Sequence, residues 1–221
     1  MIGAMTGKFI TFEGGDGAGK STQIRRLAAA LAATGRKVRQ TREPGGTPAA
    51  EAVRHLILSG NAKSMGSDGE AVLFAAARAD HVEKVIRPAL EREEWVLCDR
   101  FADSTRVYQG AGGGADDKLL RALERVAVGE SRPDLTIILD VPAAVGLERA
   151  RRRQVEEATA PADRFEAEEL SLQEKRRQAF LDIAGREPDR CVVVDANQSE
   201  DEVAHAVWKT VSTRLFGEAA A

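Results

Sequence analysis

Residues 14–21 read Gly14-Gly15-Asp16-Gly17-Ala18-Gly19-Lys20-Ser21, four glycines closing on a lysine and a hydroxyl. The spacing G-x-x-x-x-G-K-S belongs to loops whose backbone N–H groups curl around a phosphate. Glycine permits the turns, and the helix that follows adds the partial positive charge of its N-terminus. Lys20 supplies a full charge for the β- and γ-phosphates, and the Ser21 hydroxyl is a ligand for Mg²⁺. Thr22 stands beside them at the start of that helix. The motif predicts a nucleoside triphosphate bound with a divalent cation. Alone it does not separate a kinase from a GTPase switch, a motor or a transporter subunit. The N-K-x-D of GTP-binding switches occurs nowhere in the chain, and no D-x-x-G follows an apolar strand beyond the loop.

The loop needs a strand before it and a helix after it. Lys8-Phe9-Ile10-Thr11-Phe12-Glu13 reads as the strand, and Ile24, Leu27, Ala28 and Leu31 give the i, i+3, i+4, i+7 spacing of the helix. Further strand-like runs are Lys37–Thr41, Trp95–Cys98, Leu135–Leu139 and Cys191–Val194. They are largely continuous apolar runs rather than alternating ones, which suits strands covered on both faces. Helical periodicities lie between them: Val82, Val85, Ile86, Leu90; Leu119 to Ala127; Val203 to Val211. Alternating strands and helices predict an α/β fold, a five-stranded parallel sheet flanked by helices with right-handed crossovers. Ligands in such sheets bind at the carboxyl ends of the strands. That places Arg42, Asp99 and Asp140 on one rim with Asp16 and the glycine loop. Two loops stand out. Arg42-Glu43-Pro44-Gly45-Gly46-Thr47 follows the second strand. Gln154 to Asp163 is acidic, alanine-rich and poor in apolar residues, and it follows the basic run Arg149-Ala150-Arg151-Arg152-Arg153. Gly110 to Gly114 reads as a flexible turn.

A chain of 221 residues suits a single domain with its own core. The net charge of −3 argues against broad binding of nucleic acid or anionic membranes. No apolar run approaches a membrane span, and the first residues lack the apolar stretch of a signal peptide. The expected location is the cytoplasm. Residues 1–7 are expected to lie outside the folded domain, with Met5 an alternative start. The two cysteines, Cys98 and Cys191, are expected as buried free thiols. His55, His81 and His205 are scattered on helical segments and read as packing or surface residues.

The segment Leu97-Cys98-Asp99-Arg100-Phe101-Ala102-Asp103-Ser104-Thr105-Arg106-Val107-Tyr108-Gln109 resembles the signature of the thymidylate kinases. Arg42–Thr47 is similar to the family's R-E-P-G-G-T loop. Phe74-Ala75-Ala76-Ala77-Arg78 resembles its base-binding helix, and Asp163-Arg164-Phe165-Glu166 resembles the D-R-x-E that closes its lid. The resemblance runs from about Lys8 to Trp208. It implies a P-loop kinase of one domain with a mobile lid over about residues 149–164, converting dTMP and MgATP to dTDP and ADP.

The resemblance also implies roles. Arg42 and Arg100 fork onto the dTMP phosphate, and Asp99 holds Mg²⁺ through water beside Ser21. Phe74 and Arg78, four apart on one helix face, stack on thymine and donate to its O4. Thr105 and Gln109 line the base, and Tyr108 packs beneath the sugar where a 2′-hydroxyl would go. Asp16 meets the sugar 3′-hydroxyl or aligns the phosphate. Some members carry an arginine just after the acidic loop residue, where this chain has Gly17. That departure matches the bacterial type, in which the lid supplies the catalytic cation. Arg151 or Arg153 is then expected at the γ-phosphate, with the choice open, and Arg149 on adenine. A homodimer built through the helices of residues 49–58 and 70–90 is also implied. The main rival is a monophosphate kinase preferring another base.

Overall fold

The computed structural model describes residues 7–157 and 169–216. Five strands form one parallel sheet in the order β2-β3-β1-β4-β5: β1 (Phe9–Glu13), β2 (Val38–Arg42), β3 (Trp95–Asp99), β4 (Leu135–Asp140) and β5 (Cys191–Asp195). The helices are α1 (Lys20–Ala33), α2 (Pro48–Leu58), α3 (Gly66–His81), α4 (Arg87–Glu91), α5 (Ala102–Thr105), α6 (Asp117–Val128), α7 (Ala143–Glu157), α8 (Leu170–Arg186) and α9 (Glu200–Leu215). β1 lies at the centre between β3 and β4, so the chain reverses its direction of travel across the sheet beside it. That reversal opens a crevice at the strands' carboxyl ends.

The three inner strands are buried along almost their whole length, as their apolar runs predict. On one face Ile10, Phe12, Leu97, Leu135 and Ile137 pack against Leu27 and Leu31 of α1 and Val203 and Val207 of α9. On the other, Ile138 and Cys191 meet Phe180 and Ile183 of α8, while Phe9, Val96 and Cys98 meet Val82 and Ile86. Each such side chain withdrawn from water contributes roughly 1.5–3 kcal/mol. Both cysteines are free and buried, as expected.

The edge strands differ from the both-faces-covered expectation. β2 has no fully buried residue and β5 buries only Cys191 and Val194, because each has a neighbour on one side only and reduced helix cover. Two further corrections concern local structure. α7 continues to Glu157, so the stretch beginning at Gln154, read as loop from its composition, starts as helix; alanine, glutamate and arginine are good helix formers. Arg106–Ala111 forms a wide π-helical turn continuing α5, so Gly110 and Ala111 are helical rather than part of a flexible loop. A second such turn, Val82–Ile86, joins α3 to α4. The Asp163–Glu166 segment lies outside the described residues.

Candidate active site

The glycine loop leaves β1 at Gly14 and enters α1 at Lys20. Gly14 has φ 128°, and a Cβ there would overlap the Leu139 carbonyl oxygen of β4. Gly19 has φ 88° and no side chain caps α1, which leaves its first-turn N–H groups without a side-chain cap where the glycine loop enters the helix. Three other helices carry side-chain caps, while α3 and α8, like α1, do not. Thr47 caps α2, Asp116 caps α6, and Ser199 with Glu202 forms a capping box on α9.

Lys20 donates from Nζ to the carbonyls of Gly14 at 3.1 Å and Gly15 at 2.8 Å. Burial, then the nearby Arg100 charge, lowers its ammonium to about 8, while Asp99, Asp16 and Glu13 pull the other way. Ser21 Oγ donates to Asp99 Oδ2 at 2.7 Å. This pairs a hydroxyl and a carboxylate from α1 and β3, two hard oxygen donors of the kind Mg²⁺ takes. Among the described residues no cluster of three or more His, Cys, Asp or Glu could cage a metal. Mg²⁺ fits such a sparse set, since it keeps waters and draws on substrate phosphates.

Arg100 sits where β3 turns into α5, with φ 67°. Its guanidinium reaches Asp16 Oδ1 at 2.6 Å, the Gly14 carbonyl at 3.1 Å and Ser104 Oγ at 3.1 Å. It therefore joins the Asp-Arg segment to the glycine loop. Burial would raise the Asp16 carboxyl, but the charges of Arg100 and Lys20 hold it below the usual carboxylate range. The Tyr108 ring lies under two cations, 5.0 Å from Arg100 and 4.4 Å from Arg176 of α8. Burial pushes the Tyr108 hydroxyl above its ordinary value.

At the far end α3 presents Phe74 and Arg78. Arg78 is 3% exposed. Its Nε donates to Glu43 Oε2 at 2.7 Å, and its NH2 donates to Phe101 O and Thr105 Oγ1, each at 3.1 Å. Glu43 Oε1 is 3.0 Å from His81 Nδ1, and His81 Nε2 is 2.7 Å from Thr41 Oγ1. Gln109 Nε2 donates to Glu70 at 3.4 Å. Arg42 pairs with Glu51 at 2.9 Å on the rim. Asp140, the carboxylate that ends β4, is taken by Arg177 of α8 at 2.7 and 2.9 Å.

One cavity of about 300 Å³ joins these parts. Asp16, Gly17, Gly19, Lys20, Ser21 and Thr22 line one end, and Phe74, Arg78, Thr105, Tyr108 and Gln109 line the other. Arg42, Asp99 and Arg100 stand between, and Arg153 reaches the cavity from α7. Arg151 is exposed and does not line it. Arg149 donates to the Ala196 carbonyl just past β5 at 2.9 Å and also stands off the cavity wall. Gly14, Gly15 and Ala18 shape the loop from behind. Lid contacts beyond Glu157 lie outside the described residues.

Sequence reasoning assigned no role to Glu13, Glu43, His81, Ser104 or Arg176. Glu13 is wholly buried. It accepts from Phe101 N–H at 2.7 Å and Ser104 Oγ at 2.6 Å. Burial, then the Asp103 carboxylate, pushes it up to about 7 against the Ser104 hydrogen bond and the Arg100 charge. A charged residue closing an otherwise apolar strand was the available signal. His81, read as a packing or surface residue, is wholly buried, and its packing orders the Arg78 pocket.

The thymidylate kinase family model matches residues 12–207. A thymidylate kinase of Nitrobacter hamburgensis is 53% identical over 215 residues, 97% of this chain and 92% of that one. One from Nitrobacter winogradskyi is 55% identical over 210 residues, 95% and 90% of the two. Among solved structures, the thymidylate kinase of Ehrlichia chaffeensis is similar with a TM-score of 0.73 and 34% identity, covering 93% of this chain and 98% of its own. The glycine loop, the Asp99-Arg100 turn and the Phe74–Arg78 helix meet in one cavity, and the matches span nearly the whole chain: it belongs to the thymidylate kinase family.

Proposed function

We propose that this chain transfers the γ-phosphoryl group of MgATP directly to the phosphate of dTMP, yielding dTDP and ADP for dTTP synthesis. The observation that carries this reading is the single cavity with a triphosphate loop at one end, an aromatic and arginine pocket at the other, and Arg100 between them. The acceptor is a phosphate oxygen already ionised near neutral pH, so no general base is required. It forms the new O–P bond in line as the bond from the γ-phosphorus to the bridging oxygen breaks and ADP leaves. Positioning and charge stabilisation supply the rate.

Lys20 and the loop N–H groups hold the β- and γ-phosphates. Ser21 and Asp99 would hold Mg²⁺, which would neutralise phosphate charge. Arg100, with Arg42 from the rim, grips the acceptor phosphate. Phe74 stacks on thymine, Arg78 donates to O4, Thr105 and Gln109 line the base, and Tyr108 fills the space of a 2′-hydroxyl. Asp16 meets the 3′-hydroxyl or steadies Arg100. Arg153 neutralises the transferring group, with Arg151 one turn-half away on α7 as the alternative, and Arg149 lies on the adenine side. Residues from about 149 to 164 act as a lid that excludes water.

We also infer a homodimer in the cytoplasm. Val72 on α3, Leu56 on α2, Met65 and the 82%-exposed Val126 on α6 are apolar and turned outward, and these helices are neighbours. No helix among the described residues is long and apolar enough to cross a membrane. ADP release coupled to dTMP, dUMP, UMP and dCMP tests the substrate. The expected order places dTMP first in kcat/KM, and an equal rate without any monophosphate contradicts the reading. Light scattering tests the dimer.

A further inference from the structure

Arg100 occupies a strained left-handed backbone conformation at φ 67°, which a non-glycine residue keeps only when its surroundings over-determine it. Glu13 grips the residues that follow this turn. This residue ends β1, and the phosphate loop begins at the next position. Glu13 Oε1 accepts from the N–H groups of Phe101 at 2.7 Å and Ser104 at 3.3 Å, on either side of the α5 start. Glu13 Oε2 accepts from Ser104 Oγ at 2.6 Å.

The direction of that last bond matters. An ionised carboxylate only accepts, so above about pH 7, with Glu13 ionised, the Ser104 hydroxyl proton is committed to it. The hydroxyl lone pairs are then left facing the Arg100 guanidinium, whose NH1 donates to Ser104 Oγ at 3.1 Å. The same NH1 also donates to the Gly14 carbonyl at 3.1 Å. One carboxylate therefore fixes the turn that carries Arg100 and polarises the hydroxyl that orients its side chain. Its other charged neighbours are Asp103 on α5 and Arg100 itself, and its charge is also felt by Lys20 on α1 and Cys98 on β3. Glu13 is 0% exposed and does not line the cavity.

We propose that Glu13 is the positioning residue for Arg100, acting through Ser104 to lock the Asp-Arg turn and the phosphate loop into one frame. The inference rests on the reading of Arg100 as the acceptor-phosphate ligand. It assigns Ser104 as the relay: a hydroxyl that donates to Glu13 and accepts from Arg100.

The test compares Glu13→Gln, Ser104→Ala, the double variant and Arg100→Ala in steady-state kinetics, with thermal melts of each. Glu13→Gln and Ser104→Ala should each lower kcat/KM for dTMP about tenfold or more, as expected for losing a hydrogen bond to a charged group. Much of the loss should appear as a raised KM for dTMP, with the KM for ATP within about twofold of the parent. Loss of folded protein alone would lower kcat and leave both KM values unmoved. The double variant should be no worse than the poorer single variant by more than about twofold, because both substitutions break one relay. A dTMP KM for Ser104→Ala within about twofold of the parent overturns the proposal, as does a double variant whose losses multiply. Should Glu13→Gln fail to fold, Ser104→Ala carries the test. An unchanged dTMP KM in Arg100→Ala would remove the underlying reading of Arg100. A raised value there, with Ser104→Ala unaffected, removes the relay alone.

Discussion

Gly17 of the phosphate loop and Gly146 of α7 meet backbone to backbone. A Cβ on Gly17 would overlap the Gly146 carbonyl oxygen, and one on Gly146 would lie 2.5 Å from the Asp16 carbonyl oxygen. No side chain fits between them, so the helix that carries the arginine run is seated directly on the loop. Gly17 also has φ 70°, which penalises any other residue. An arginine at this position, as in some members of the family, is closed to this chain. We expect Gly17→Ala and Gly146→Ala each to destabilise the fold by about 2 kcal/mol or more, through overpacking against backbone that cannot yield. Urea denaturation measures this. Gly17→Arg should not restore activity to an Arg153→Ala enzyme.

From Gly146, α7 rises two turns, roughly 10 Å, to Arg153. Arg153 lines the cavity whereas Arg151 does not. Arg153→Ala should therefore lower kcat at least about tenfold, with the KM for dTMP little changed, since a cation at the transferring phosphoryl group acts in the transition state. Arg151→Ala should cost less. Single-turnover kinetics with both variants checks the order, and the reverse order would assign Arg151 instead.

Glu43 and Arg78 form a buried ion pair at 2.7 Å, with each side chain 4% exposed, and Glu43 also holds His81. Glu43→Ala strands a buried guanidinium and should cost about 3–5 kcal/mol. The rim pair Arg42–Glu51 is 56% and 42% exposed, and Glu51→Ala should cost no more than about 1 kcal/mol. Chemical denaturation of the two variants reads the contrast directly. If Arg78 reads the base as proposed, the KM for dTMP should rise in Glu43→Ala, because Arg78 loses the partner that fixes its side chain.

These three contacts mark what the sequence could and could not reveal. The glycine loop was legible because its chemistry lies in backbone spacing, which the chain spells out locally. The inner strands were legible as apolar runs, and Phe74 with Arg78 as a pair one helical turn apart. Glu43 sat in plain view within the Arg42–Thr47 motif, yet its work is done on Arg78, thirty-five residues away. Ser104 likewise is a fixed member of a motif, but its meaning comes from Glu13 on another strand. The Gly17–Gly146 contact joins positions with no shared local pattern. Relationships across the sheet need the fold before they exist. The reading of residues 154–157 as loop failed differently: acidic, alanine-rich composition is equally the composition of an exposed helix.

Glu13 gives a pH signature. Its carboxyl is pushed up to about 7 in the fold, above its ordinary value of 4.5. The native state then holds this proton after the unfolded chain has released it. Its contribution to stability is complete below about pH 4.5 and is lost as pH rises through about 7. Glu13→Gln cannot titrate. Between pH 5 and 7.5 the parent should therefore lose stability relative to Glu13→Gln, by roughly 1–3 kcal/mol. Urea denaturation at the two pH values gives the difference. A parent that loses nothing against the variant over this range would show that the carboxyl is ionised well below 7.

The most direct test of the account is ADP release measured with MgATP and dTMP, with and without the monophosphate, alongside product identification by phosphorus NMR. The account predicts dTMP-dependent formation of dTDP and ADP in equal amounts. ADP appearing at the same rate when dTMP is left out, with no dTDP formed, would contradict it.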